Sequence, residues 1–319
     1  MRAIRFHRHG APQDVLVLDD IPAPVPGPGE LLVRVSARPV NPSDLLYVQG
    51  RYGRVAKPPA TAGFEGVGRV EDRGEGCTVP VGARVAVAAS GTWQEYVNIA
   101  ESEAIPVPGH LPDHAACQLT INPIAARLLL QELQIPAGEW LLLSAGASAV
   151  ARMIASLARR RGISCLHLVR RPEQARWLTG RGMEALVTEG DWCQRAQELT
   201  GGAIAAIDSV GGTVARDMAL GLQSGGRLVC FGLLSPEPIP LAAGDLIFRG
   251  LNVCGFWLPQ RLSLLTPEQR AQLFDDAVED LAGALEETVP RLTYNLSQAA
   301  TASAAALHDG HLGKVLLTG

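Results

Sequence analysis

The chain has 319 residues, 47% of them hydrophobic and 19% charged, with a formal net charge of −4. That length makes one very large domain or two ordinary ones, with chain enough for sizeable cores. The mildly acidic balance gives no electrostatic reason to expect nucleic acid or an anionic membrane as partner, and no apolar run reaches the length of a membrane span, so a small molecule is the expected ligand.

The N-terminus, Met1-Arg2-Ala3-Ile4-Arg5-Phe6, enters a strand pattern at once. This leaves no signal or transit segment and points to the cytoplasm. Strand signals follow at 15–21, 31–37, 66–71 and 84–88, divided by turns such as Ala23-Pro24-Val25-Pro26-Gly27-Pro28-Gly29. The first third therefore reads as a compact, mostly β unit. Cys77, Cys117, Cys165, Cys193, Cys230 and Cys254 are widely spaced, with no CxxC and no paired His/Cys spacing. They read as small core residues rather than zinc ligands or a disulfide framework.

From about Pro112 the texture changes. Trp140-Leu141-Leu142-Leu143 is an apolar strand, Ser144-Ala145-Gly146-Ala147-Ser148 a small-residue turn, and 149–161 a helix with Ala151, Ile154, Ala155 and Ala158 on one face. A second strand covers 165–169. A strand feeding a small-residue loop into a helix N-terminus makes an anion site, because free backbone N–H groups and the positive dipole end meet there. Ala147, Ser148, Ala149 and Val150 are the residues expected at a dinucleotide pyrophosphate. The glycines usual in such a loop are replaced by Ser148, Ala149 and Ala151, and a Cβ at the closest approach to phosphate costs room. An acidic residue at the end of the second strand would bind a ribose 2′-hydroxyl, whereas a 2′-phosphate wants arginine. The strand ends in Arg170-Arg171, with no acid before Glu173. NADPH is expected rather than NADH, against the alternative of two solvated arginines.

The alternation continues: helix 172–180, strand 185–187, helix 191–199, strand 204–207, helix 213–222, then strands 227–231 and 251–256. Strands this apolar, alternating with helices, imply an α/β fold with a doubly wound parallel sheet covered on both faces. The tail predicts helices at 266–286 and 297–307 and a closing strand at 314–317. The simplest arrangement is a β unit interrupted by a nucleotide fold and completed by the C-terminal segment.

Several strings in order then resemble a known family. Asn41-Pro42-Ser43-Asp44, Gln49-Gly50-Arg51-Tyr52-Gly53, Gly63-Phe64-Glu65-Gly66-Val67-Gly68, Trp93-Gln94-Glu95-Tyr96-Val97, Thr120-Ile121-Asn122-Pro123, Ser209-Val210-Gly211-Gly212, Gly255-Phe256-Trp257-Leu258 and Gly313-Lys314-Val315 are similar to the medium-chain dehydrogenase/reductase superfamily. Within it they are most similar to the zinc-independent enoyl thioester reductases, close cousins of the quinone oxidoreductases. The resemblance implies a GroES-like catalytic domain at 1–115, completed by 260–319, and a Rossmann domain at 116–259. Zinc-dependent members place a Cys in the early loop and a His before the Glu of the Gly-rich segment. Here those places carry Asn41 to Ser43 and Phe64, and 88–105 has no Cys, so no metal site is expected.

The chemistry implied is hydride transfer from NADPH to a carbon–carbon double bond conjugated to a carbonyl, with the protein stabilising the enolate and delivering a proton. The resemblance puts Tyr52 beside the nicotinamide, and a phenol, with an ordinary pKa of about 10, is a neutral donor. The bland alternative is an aromatic that merely stacks on the cofactor. By the same resemblance Asn41 and Asn122 lie toward the nicotinamide, Phe231, Gly232, Leu233 and Leu234 with Phe256, Trp257 and Leu258 flank it, and Lys314 reaches the cofactor phosphates. The Thr that follows Asn122 in relatives is Ala125 here. Ser43 and Asp44 read as helix caps, and Trp257 equally as a core or dimer-interface residue. Arg38, the seven histidines and Cys117 form no constellation. The expected substrate is a 2-enoyl thioester; the alternatives are a quinone, alkenal or enone, or an NADPH-binding protein without activity. The strand near 251–256 makes a homodimer expected by resemblance.

Overall fold

In the computed structural model residues 1–307 and 313–319 are described, residues 286 and 287 by their backbone alone. Two compact units form, one of Met1–Asn122 with Leu273–Gly319 and one of Pro123–Gln272.

The first unit opens with β1 (Arg2–Phe6), the short helix α1 (Pro12–Val15) and β2 (Leu16–Asp20), β1 and β2 pairing antiparallel. β3 (Glu30–Pro39) buries Leu31, Val33, Val35 and Ala37 at every second position, the period of a half-buried strand. α2 (Pro42–Val48) starts where the Asp44 carboxylate accepts the Asn41 N–H at 2.7 Å, which closes the first turn. β4 (Ala60–Thr61) pairs with β1, and β5 (Glu65–Arg73) with β3. The glycines of β5 are a packing requirement: a Cβ on Gly68 would lie 2.2 Å from the Arg34 carbonyl oxygen across the pair. β6 (Arg84–Ala88), β7 (Tyr96–Ala100), β8 (Ala104–Pro106) and α3 (Asp113–Ala116) follow.

The second unit holds nearly all of α4 (Asn122–Leu133), then β9 (Trp140–Leu143), α5 (Ala149–Arg159), β10 (Ser164–Val169), α6 (Pro172–Thr179), β11 (Glu184–Val187) and α7 (Trp192–Thr200). β12 (Ala203–Asp208), α8 (Gly212–Leu220), β13 (Leu222–Cys230), α9 (Ala243–Phe248), β14 (Asn252–Gly255) and α10 (Leu258–Ser263) complete it. The six strands are all parallel, in the order β11-β10-β9-β12-β13-β14. This is the doubly wound α/β sheet expected, with its order reversing between β9 and β12. Leu142, Leu166, Leu168, Ala206 and Leu228 from the strands pack with Trp192, Ala196, Ala215, Met218 and Ala219 from the helices. The helix expected at 213–222 stops at Leu220, because buried Leu222 already pairs with Ala203 and begins a longer β13.

α11 (Pro267–Ala282) ends four residues earlier than expected, at Gly283, and a 3₁₀ turn, Leu285–Thr288, replaces its last turn. β15 (Pro290–Asn295) has no sequence signal, since it begins with Pro and exposes most of its residues. It runs parallel to β16 (Lys314–Thr318), which pairs antiparallel with β3 to give the order β15-β16-β3-β5-β6-β8. α12 (Ala299–Leu307) and β16 bring Ala299, Ala302, Val315 and Leu317 into one core with Ile4, Phe6 and Trp93. Among the described residues no helix is long and apolar enough to cross a membrane.

Candidate functional site

Parallel strands put every strand-to-helix loop at the carboxyl edge of the sheet, and the second unit's expected site residues all fall there. Ala147, Ser148, Ala149 and Val150 follow β9, Arg170 and Arg171 follow β10, Phe231 to Leu234 follow β13, and Phe256 to Leu258 follow β14. The reversal of strand order between β9 and β12 is where such sheets bind ligands. It is bridged by buried groups: the Ser144 hydroxyl donates to Asp208 Oδ1 at 2.7 Å and accepts the Ser209 N–H at 2.7 Å. Asp208 also takes the N–H groups of Val210 at 3.0 Å and Gly211 at 2.7 Å. Its carbonyl accepts Phe231 N–H at 2.7 Å and Gly232 N–H at 3.1 Å. Leu233 and Leu234 stand exposed beyond this clamp, while the Phe231 and Phe256 rings meet at 5.9 Å.

The loop into α5 is built without the usual glycines. Ser148 caps the helix, its Oγ accepting the Ala151 N–H at 3.3 Å. The N–H groups of Ala149 and Val150 belong to the first turn, where no carbonyl four residues back lies in the helix, and they are suited to an anion. Arg170 is exposed, and Arg171, half-exposed, stands 3.7 Å from Glu173. Two cations therefore sit one strand over from that helix start.

In the first unit a buried polar cluster forms around Glu65, at the start of β5. Asn41 Nδ2 donates to Glu65 Oε1 at 2.8 Å and Thr120 Oγ1 donates to Oε2 at 3.0 Å, while the Ile121 N–H faces the same carboxylate. Lys314 Nζ donates to Asn41 Oδ1, so both ends of that amide are held. Asn122, buried, follows directly. Lys314, expected at the cofactor phosphates, here turns its ammonium inward to this cluster. Tyr52 joins through aromatic contacts. Its half-buried ring lies 5.2 Å from Phe64, the neighbour of Glu65, and Phe64 in turn meets Tyr47 at 5.0 Å.

Residues to which the sequence assigned nothing turn out to be engaged. Arg38 is fully buried, donates to the carbonyls of Thr92, Val35, Gln94 and Gly319, and is pulled down to about 10 by burial. Burial, with Glu65 close by, pushes the Cys117 thiol up, whereas the other five cysteines are only half-buried. His167 is buried in β10, its Nδ1 2.7 Å from the Gly146 carbonyl oxygen. His308 and His311 lie outside the described residues. A lone histidine in an apolar strand gives no signal in the sequence, nor does the pairing of Ser144 with Asp208, 64 residues apart.

Burial raises the carboxyl groups of both Asp44 and Glu65, outweighing the pull of Lys314. Asp44 is pushed up to about 8 by burial first and by Glu65 second, although the N–H groups of Asn41 and Phe64 oppose the shift. A folded pKa above the unfolded value means that the stability it carries is fully present below 3.8 and lost as the pH rises through about 8. Asp44→Asn, a permanent neutral form that can still accept the Asn41 N–H, is expected to flatten the dependence of Tm on pH in that window. Its gain over the parent should be largest on the alkaline side, and thermal melts across pH check it.

Two family models match: the alcohol dehydrogenase GroES-like domain over residues 27–109 and the zinc-binding dehydrogenase over residues 149–276. The side chains here do not fit the zinc ion in the second name. Asn41 is spent on Glu65 and Lys314, Phe64 packs edge-on to Tyr47 and tilted against Tyr52, and among the described residues no three His, Cys, Asp or Glu side chains group as metal ligands. The mitochondrial enoyl-[acyl-carrier-protein] reductases of Bos taurus and Homo sapiens are each 30% identical, over 86% of this chain and 76% of theirs. The quinone oxidoreductase of Thermus thermophilus, solved also with NADPH, is 30% identical at a TM-score of 0.81, covering 100% of both chains. The quinone oxidoreductase of Pseudomonas syringae is 25% identical at a TM-score of 0.90, over 100% of this chain and 99% of its own. The chain therefore belongs to the medium-chain dehydrogenase/reductase superfamily, in the zinc-independent branch of enoyl thioester reductases and quinone oxidoreductases.

Proposed function

We propose that this chain reduces the carbon–carbon double bond of 2-enoyl thioesters, carried on CoA or a carrier protein, with NADPH as reductant and Tyr52 as proton donor. The observation that carries the reading is Tyr52 itself, a half-buried phenol seated on Phe64 beside the Glu65 cluster. The names of the relatives support the thioester, and the NADPH complex of the Thermus enzyme supports the cofactor. Bound nicotinamide would supply the hydride for the β-carbon. The Tyr52 hydroxyl would hydrogen-bond to the thioester oxygen as negative charge develops there and give up its proton as the α-carbon is protonated. Asn41 and Asn122 would position the nicotinamide end, with Phe231, Gly232, Leu233, Leu234, Phe256, Trp257 and Leu258 against its ring. Ala147 to Val150 would hold the pyrophosphate and Arg170 and Arg171 the 2′-phosphate. Lys314, whose ammonium donates to Asn41 and carries further N–H donors, would reach the cofactor phosphates.

With crotonyl-CoA, Tyr52→Phe is expected to lower kcat roughly a hundredfold or more while leaving NADPH binding unchanged, as loss of a general acid requires. Following NADPH oxidation tests this; an unaffected kcat would remove Tyr52 from the chemistry. The second reading, a quinone or enone reductase, is favoured by the quinone oxidoreductases of the same fold. A quinone or alkenal turned over faster than crotonyl-CoA would establish it, and NADPH binding with no electrophile reduced would mark an idle cofactor-binding protein. Replacing Arg170 and Arg171 together by Ser is expected to erode the preference for NADPH over NADH by roughly tenfold to a hundredfold, the worth of charge-assisted hydrogen bonds to a phosphate. Titration with both nucleotides measures it.

We further infer a homodimer through β14. It is the edge strand of its sheet, and α9 just before it exposes Leu246, Ile247 and Phe248 at 42%, 69% and 87%. Apolar exposure beside an unpaired strand edge suits a two-fold contact with a second copy. Phe248→Glu is expected to convert the dimer to monomer in size-exclusion chromatography with light scattering, and a monomeric parent protein would refute the contact.

A further inference from the structure

We propose that His167 is a positioning residue for the nucleotide loop: from β10 beneath, it holds the Gly146 carbonyl and so keeps the turn into α5 in a phosphate-binding shape. The proposal rests on the NADPH reading and names a residue that reading leaves unused.

The turn is fastened to β10 at a single residue. The Gly146 N–H donates to the Leu168 carbonyl at 2.9 Å, and the Gly146 carbonyl lies 2.7 Å from His167 Nδ1. Contact is close enough that a Cβ on Gly146 would come within 2.7 Å of His167 Cβ and 2.9 Å of its backbone. One residue earlier Ala145 adopts φ +46°, a left-handed conformation disfavoured for a side chain with a Cβ. Such a conformation persists only where surrounding contacts over-determine it. The Ser148 N–H, donating to the Ala145 carbonyl at 2.8 Å, then carries the turn into the helix cap.

The imidazole is a costly choice for this purpose alone. His167 is 1% exposed, and its Nε2 is buried with no hydrogen-bond partner among the described residues, which is destabilising. Burial, helped by the nearby Arg152 guanidinium, lowers its pKa, so the ring is neutral with its proton on Nδ1 and available to Gly146. A leucine would fill the space without the orphaned nitrogen. The hydrogen bond to the loop is what histidine adds.

The variants separate stability from cofactor affinity. His167→Leu is expected to melt at or above the parent temperature yet bind NADPH about tenfold more weakly by fluorescence titration, one hydrogen bond's worth. In cofactor-free protein, amide hydrogen exchange across residues 144–150 should rise. His167→Asn, whose amide N–H can take the place of Nδ1–H, should restore both the affinity and the protection. If the Leu variant fails to fold, Gly146→Ala carries the same expectation, because its Cβ pushes the turn off His167. Parent-like NADPH affinity and loop exchange in His167→Leu would overturn the proposal alone. A parent protein that does not bind NADPH would overturn the cofactor reading and this proposal with it.

Discussion

The second unit depends on one buried carboxylate. Where the strand order reverses, the crossovers from β9 and β12 leave toward opposite faces of the sheet, so their loops diverge and open the crevice that ligands use. Beyond the Ser144 N–H bond to the Ile207 carbonyl at 3.2 Å, the diverging loops need a side chain to fix their separation. Asp208 supplies it: its carboxylate takes the Ser144 hydroxyl from the β9 loop and two N–H groups of its own loop, and its carbonyl takes two from the loop after β13. Each carboxylate oxygen there is met by at least one donor, which is the condition under which a fully buried carboxylate is tolerable. Loops from three strands are thus fixed through one residue, and a site assembled from those loops inherits the rigidity of the sheet.

The first unit uses the same device less completely. Glu65 is met by Asn41, Thr120 and the Ile121 N–H, with Lys314 one amide away. Asp44 lies close by, and its Oδ1 has no hydrogen-bond partner among the described residues. Two buried carboxyl groups share one partly buried ammonium, and burial raises both, Asp44 to about 8. Asn41 is the hinge of this arrangement, because an amide can accept from the ammonium at one end and donate to the carboxylate at the other. A cysteine at that position would offer no such bridge, and it would place a thiol beside Glu65, as Cys117 already shows at the cost of a raised pKa. Of the residues that stand where zinc ligands would be, Asn41 is therefore part of a buried polar network and Phe64 of an aromatic cluster with Tyr47 and Tyr52.

How much of this was legible follows from the range of the interactions. The parallel sheet was readable because apolar strands, small-residue turns and helical spacing are local, and Arg170-Arg171 was readable because a strand end is a defined place. β15 was not, since its stability comes from β16 and not from its own pattern. Lys314 was matched to a family position but not to its partner Asn41, 273 residues away. His167 and Asp208 were invisible for the same reason: each is one polar residue in an apolar run, and only the fold shows which group it meets. Even the glycine string at 63–68, which reads as a family signature, has immediate packing causes: Gly66 and Gly68 are crowded by β3, and Gly63, at φ +95°, by Trp93 and Thr92.

The glycine-poor nucleotide loop shows how a missing local feature is made up at longer range. In the usual loop, glycines give conformational freedom at the turn and close approach at the helix start. Here the close approach has moved to Gly146, where the turn touches β10, and the left-handed position falls on Ala145. Ala149 and Ala151 then sit in the first turn of α5, where alanine is the best helix former and glycine among the worst. The exchange makes the helix start more rigid and the turn before it more strained. A turn that is strained locally holds its shape only through contacts from elsewhere in the sheet, and these are Leu168, His167 and, through Ser144, Asp208. Order in this loop is therefore a property of the folded sheet rather than of its own five residues.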